Sequence, residues 1–99
     1  MSLVLQEQHG TITVTPGALA RLVIRAAEAV DGAEVRRGRR RLDIDLRDGD
    51  ARVRLELNAR YGVALPELAR AVQEHVADAL ATMCGVNVEA VDVSVEEIA

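Results

Sequence analysis

Apolar residues recur along this chain with two different periods, and the changes from one period to the other divide it into elements. Between Leu65 and Met83 the apolar side chains Leu65, Leu68, Ala69, Val72, Val76, Leu80 and Met83 fall three and four apart. That spacing places them on one face of an α-helix, with Glu67, Arg70, Glu74 and Asp78 on the other. Pro66 stands at the first helical position, where a missing N–H leaves nothing unpaired, and Gly85 stands where a left-handed cap would end the helix. A second stripe, Leu19, Leu22, Val23, Ala26 and Val30, begins after Thr15-Pro16, a capping side chain followed by a fixed first-turn φ, and closes at Asp31-Gly32.

The remaining segments alternate with period two. Gly10-Thr-Ile-Thr-Val14 is β-branched and predicts a strand with Ile12 and Val14 turned inward. Leu42 to Leu46 and Ala51 to Leu57 alternate on either side of Asp48-Gly49, a dipeptide suited to a two-residue type I′ turn. Folding the hairpin about that turn sets Ile44 opposite Val53 and Leu42 opposite Leu55. On the other face Asp45 meets Arg52, Asp43 meets Arg54 and Arg41 meets Glu56, each pair contributing about 0.2–1 kcal/mol. A slip of one residue would put every apolar side chain in water. Ala33-Glu-Val35 reads as a short strand ahead of this hairpin. In the last run, Val86 to Val95, the apolar phase changes between Val88 and Val91, so either the strand starts at Ala90 or a bulge sits near Glu89. Residues 1–9 show neither periodicity nor turn chemistry and read as a loosely ordered lead-in. The predicted order is strand, helix, hairpin, helix, strand: an α+β fold of βαββαβ-like order, in which a mixed β-sheet carries two helices packed on one face. Strand order within the sheet stays open.

Composition narrows the class. A chain of 99 residues suffices for one core and not two. Its apolar fraction of 49% contains one Tyr and no Phe or Trp, so the core is aliphatic and rings for stacking bases are missing. The net charge of −4 tells against generic polyanion binding but hides an asymmetry. Nine of the twelve arginines lie between Arg36 and Arg60, whereas six carboxylates and no arginine follow Arg70. A basic middle and an acidic end suggest copies meeting head to tail. One cysteine precludes an internal disulfide or a Cys-based metal cage, the start lacks a signal-peptide pattern, and no run is long and apolar enough to span a bilayer. A cytoplasmic protein is expected.

Candidate chemistry is sparse. Cys84 would sit at a helix C-terminus, where the dipole disfavours a thiolate, so a buried structural thiol is the expectation. His9 and His75 lack partners at metal-ligand spacing. Asp43, Asp45, Asp48 and Asp50 resemble a calcium loop but lack its later ligands and terminal Glu, and a solvated strand face accounts for them. Glycines are scattered as caps and turns, and Ser2 and Ser94 have no visible triad neighbourhood. No catalytic, cofactor-binding or metal residues emerge. The one strong candidate is the interaction surface of Arg36, Arg37, Arg39, Arg40 and Arg41, whose guanidinium groups suit phosphate or carboxylate, whether on lipid head groups, nucleic-acid backbone or an acidic protein. The plain alternative is a solvated loop held open by like charges.

Arg60-Tyr61-Gly62, the helix carrying Val72-Gln73 and Val76, Thr82-Met83-x-Gly85, and Val91 to Val95 form a pattern together with Gly10 to Val14, Val30-Asp-Gly32 and the hairpin. In this order they resemble the alkaline-shock and general-stress protein family, also called the envelope stress response family, across residues 10–96. The resemblance implies a single alkaline-shock-like domain over 10–99. It also implies a non-enzymatic bacterial protein of cell-envelope stress, without cofactors, that self-associates and is in some members recruited to the membrane by a partner protein. The sequence departs from the family at Ala33 to Arg41, where an apolar segment is expected and the arginine run stands. A rival from another class is a small nucleic-acid binder using the Arg36 to Arg41 tip, made less favourable by the missing aromatics and the acidic net charge. An enzyme subunit or regulator with a small-molecule pocket is a third, with no residues to name.

Overall fold

The computed structural model describes residues 2–98. In chain order it contains β1 (Leu3–Glu7), β2 (Gly10–Val14), α1 (Pro16–Glu28), β3 (Ala33–Val35), β4 (Leu42–Arg47), β5 (Asp50–Arg60), α2 (Leu65–Cys84) and β6 (Asn87–Ile98). It is an α+β fold whose larger sheet is mixed.

Everything in that sheet is arranged about β5. Its alternation buries Ala51, Val53, Leu55, Leu57 and Ala59 and leaves Arg52, Arg54 and Arg60 exposed, so one face carries the core and the other is open. β4 returns antiparallel across Asp48-Gly49, whose φ angles of 52° and 81° are those of a type I′ turn. The predicted register holds: Ile44 pairs with Val53, Leu42 with Leu55, Asp45 with Arg52 and Asp43 with Arg54. The predicted ion pairs do not form across it. Arg54 turns to Glu56 at 3.0 Å, Arg52 to Glu89 at 3.6 Å, and Asp45 is taken by Arg47 at 3.2 Å. On an open face a long guanidinium reaches several carboxylates, and a pair along the strand or on the next strand competes with the one directly opposite.

β3 and β4 share one edge of β5. The Arg36 N–H donates to the Glu56 carbonyl at 2.9 Å, and the Glu56 N–H donates to the Arg41 carbonyl at 2.8 Å. Both groups of one strand residue point to the same side, so β3 and β4 form a single edge strand interrupted by an excursion over residues 37–40. β6 lies on the opposite edge, parallel to β5, and skips Glu89: Val88 pairs with Ala51 and Ala90 with Arg52. Of the two readings the sequence leaves open, the bulge is the one adopted, and the strand starts at Asn87.

The helices cover the apolar face. Thr15 caps α1 by accepting the Ala18 N–H at 3.2 Å, and Leu19, Val23 and Ala27 are buried. α2 ends at Gly85, with φ 67°, as the sequence predicts. It packs on β6 and α1 and buries Leu68, Val72, Val76, Leu80 and Cys84. Its spacing puts Met83 on that stripe, yet Met83 is 67% exposed. The buried line advances four residues at each step, so Cys84 takes the next inward place and Met83 points about 100° away from it.

The N-terminal region departs furthest from expectation. The lead-in is a strand, β1, paired antiparallel with β2 in a separate two-stranded sheet. Leu3 lies opposite Val14 and Leu5 opposite Ile12, so one face of this hairpin is an apolar ladder. Leu3 and Val14 at its base pack against the core, as predicted for Val14. Ile12 does not reach it and is 49% exposed, because the hairpin joins neither edge of the main sheet. The molecule measures 50 × 24 × 19 Å.

Candidate interaction surface

The five arginines predicted as one surface do not stay together. Arg36 still belongs to the sheet, where it bridges Glu96 at 3.2 Å and Glu56 at 3.6 Å across the open face. The rest follow the excursion, which Gly38 turns with φ 118°. Its base is fixed by backbone: Arg54 donates to the Arg40 carbonyl at 3.1 Å, and Arg41 donates to the Gly38 carbonyl at 3.4 Å. The Arg37, Arg39 and Arg40 side chains are exposed, and among the described residues these three and Arg41 form no ion pair.

The fold adds residues that the sequence did not single out. Ala20 of α1 meets Gly38, Arg39, Arg41 and Leu42 along one groove, and the next stretch of α1 presents Arg21, Ile24 and Arg25 beside Glu28. Arg21 and Arg25 are likewise exposed and unpaired among the described residues. The available signal was their spacing, four residues apart on the polar side of the predicted helix. Six unpaired guanidinium groups are therefore carried by α1 and by the segment 37–41, which meets α1 at Ala20. Two carboxylates lie nearby: Glu28, which accepts the Val35 N–H at 3.0 Å and so covers a strand edge, and Asp43, beside Leu42 and Ile44.

The basic middle and acidic end meet within one molecule. Because β6 runs parallel beside β5, Glu89 pairs with Arg52 and Glu96 with Arg36. What the fold leaves uncompensated is a basic side at α1 and the excursion, against the exposed carboxylates Glu67, Glu74 and Asp78 on α2 and Asp92 on β6. A head-to-tail contact driven by the two sequence halves loses much of its force, since half of the basic middle is already neutralised inside the chain.

Elsewhere the chemistry is plain. Arg60 grips Asp31 with two hydrogen bonds, at 3.3 and 3.1 Å, and these and the arginine charge hold the Asp31 carboxyl below its ordinary pKa while raising that of Arg60. Cys84 is buried, and burial pushes its thiol pKa up, away from the thiolate a nucleophile needs. His9 and His75 are exposed. Among the described residues no three His, Cys, Asp or Glu side chains gather as a metal site requires, and no helix is long and apolar enough to cross a membrane.

A family model for the alkaline-shock proteins (ASP23), described as having a cell envelope-related function, matches residues 34–99. The match begins within β3, so the motifs of β2 and of the end of α1 lie outside it. No curated protein matches the chain. Among solved structures, the copper form of a MamM CTD variant is similar at a TM-score of 0.57 and 22% identity, covering 86% of this chain and all 100% of that one. The cadmium form of a second variant gives 0.56 and 24%, covering 84% and 96%. The zinc form of a third gives 0.56 and 23%, covering 84% and 86%. At such identities the likeness is one of fold.

Proposed function

Because the chain belongs to the alkaline-shock family, of cell envelope-related function, we propose that it is a non-enzymatic interaction protein of envelope homeostasis, acting by self-association and through a partner protein held at the membrane. The observation that carries self-association is the β1–β2 hairpin. A two-stranded sheet standing alone is marginal in water, and this one presents Ile12 at 49% exposure on one face and Val4 at 52% on the other. A second copy laid against the Leu5–Ile12 rungs would cover an apolar ladder that its own core does not reach. The two faces of the hairpin suit more than one neighbour, as a growing assembly requires. Family membership supports the setting in the envelope, and a partner held at the membrane accords with a chain whose described helices do not cross one. Light scattering over a range of protein concentration tests the reading. The wild type should grow beyond one chain as concentration rises, and Ile12→Asp should suppress that growth while the circular dichroism of the body is unchanged. A wild type that remains monomeric at the highest concentration, in low and high salt alike, would remove it.

A further inference from the structure

We infer that the face where α1 borders the 37–40 excursion binds the surface of an anionic lipid bilayer. The inference deepens the proposed function by giving the chain a contact of its own with the envelope, beside the partner protein. Three observations point to a bilayer. Six of the seven arginines that form no ion pair among the described residues belong to this face: Arg21 and Arg25 on α1, Arg37, Arg39 and Arg40 on the excursion, and Arg41 at its end; the seventh, Arg70, is on α2. Half-buried apolar side chains show their outer parts among them, with Ile24 between Arg21 and Arg25, and Ala20 and Leu42 beside Arg39 and Arg41. The area holds two carboxylates against six guanidinium groups: Glu28, which accepts the Val35 N–H, and Asp43, beside Leu42 and Ile44.

A surface that alternates guanidinium groups with aliphatic groups matches the boundary between head groups and acyl chains, where phosphates meet the former and hydrocarbon the latter. A nucleic acid would use the charges but leave Ile24 and Leu42 wet, and the one aromatic residue, Tyr61, lies after β5 beside Arg60 and Ile98, where it offers no base a stacking platform on this face. A second copy would offer Glu67, Glu74 and Asp78 spread along the length of α2 and Asp92 on β6, not a dense patch, since Glu89 and Glu96 are already held by Arg52 and Arg36. Because the unpaired arginines lie on α1 and the excursion while Glu67, Glu74 and Asp78 lie on α2, an anionic surface would also orient the chain, turning α1 and the excursion toward it.

The test is co-sedimentation of the full chain with vesicles of phosphatidylcholine alone or mixed with phosphatidylglycerol, at low and high salt, with RNA as a competing polyanion. The chain should pellet with the mixed vesicles, stay in solution with phosphatidylcholine alone, and be released by salt. Each arginine near an anionic surface is worth about a fivefold change in binding. The double variant Arg21→Gln and Arg25→Gln should therefore bind about 25-fold more weakly, whereas Arg70→Gln, on α2 and away from this face, should bind as the wild type does. Ile24→Ser should weaken vesicle binding without altering its salt dependence. No pelleting at low salt, equal losses for the α1 and Arg70 variants, or complete displacement by RNA at matched phosphate would each overturn the inference. Light scattering of the same samples keeps the two readings apart. A monomer that pellets with anionic vesicles refutes self-association and upholds lipid binding, and an assembling protein that ignores them does the reverse.

Discussion

Residues three apart in sequence have opposite fates at the end of α2. Leu80 is fully buried in the core and Met83 is 67% exposed. Leu80→Ala should cost about 2–5 kcal/mol, the lost transfer energy plus a cavity, and Met83→Ala should stay within about 0.5 kcal/mol. Urea denaturation separates the two, and equal losses would mean that the helix face is misassigned. Spacing of three or four allowed Met83 or Cys84 at the inward place, and the buried line Leu68, Val72, Val76, Leu80 continues by four to Cys84. Asp31 and Arg60 make a second case, since nothing in the sequence links the turn after α1 to the end of β5. The folded Asp31 pKa is lowered, first by the hydrogen bonds from Arg60 and then by its charge. A lowered carboxyl pKa stabilises the folded state above the unfolded value, and that contribution is lost as pH falls through the folded value. At neutral pH and low salt the wild type should therefore be slightly more stable than Asp31→Asn, and the gap should close in acid. A gap that persisted below the ordinary carboxylate range would assign it to packing instead of charge.

At the scale of elements, the two hairpins show what makes pairing legible. The β4–β5 register was readable because Asp48-Gly49 fixes the turn and the alternation allows one register only. Gly49→Val tests that dependence: a β-branched residue at φ 81° is strained even though the added atoms have open space, so stability should fall by about 1–2 kcal/mol. A neutral result in urea denaturation would mean that the turn does not set the register. The β1–β2 hairpin is not legible in the same way, because it turns through Gln8-His9, between Glu7 and Gly10, with no turn dipeptide in the sequence to mark it. The bulge at Glu89 was legible as a change of phase, and so was the excursion at residues 37–40 as a run of like charge. That both ends of the excursion are clamped by the single residue Glu56 was not, because hydrogen bonds to a central strand have no sequence signature.

For the molecule as a whole, charge distribution in sequence and in space diverge. The arginine-rich middle and the carboxylate-rich end look like two halves meant for different molecules, yet parallel pairing of β5 with β6 brings them together as Arg52–Glu89 and Arg36–Glu96. The basic surface that survives is smaller than the run suggested at Arg36 and larger at Arg21 and Arg25, and only the packing of α1 beside the sheet edge reveals it. The proposed self-association then rests on the uncovered hairpin more than on opposite charges, and it should accordingly persist at high salt. The most direct measurement is the concentration dependence of molecular mass by light scattering, for the wild type and Ile12→Asp together. The wild-type mass should rise above the 10.7 kDa of one chain, in high salt as in low, and the variant should stay at that mass. A wild type fixed at one chain's mass, or an Ile12→Asp that assembles as readily, would contradict it.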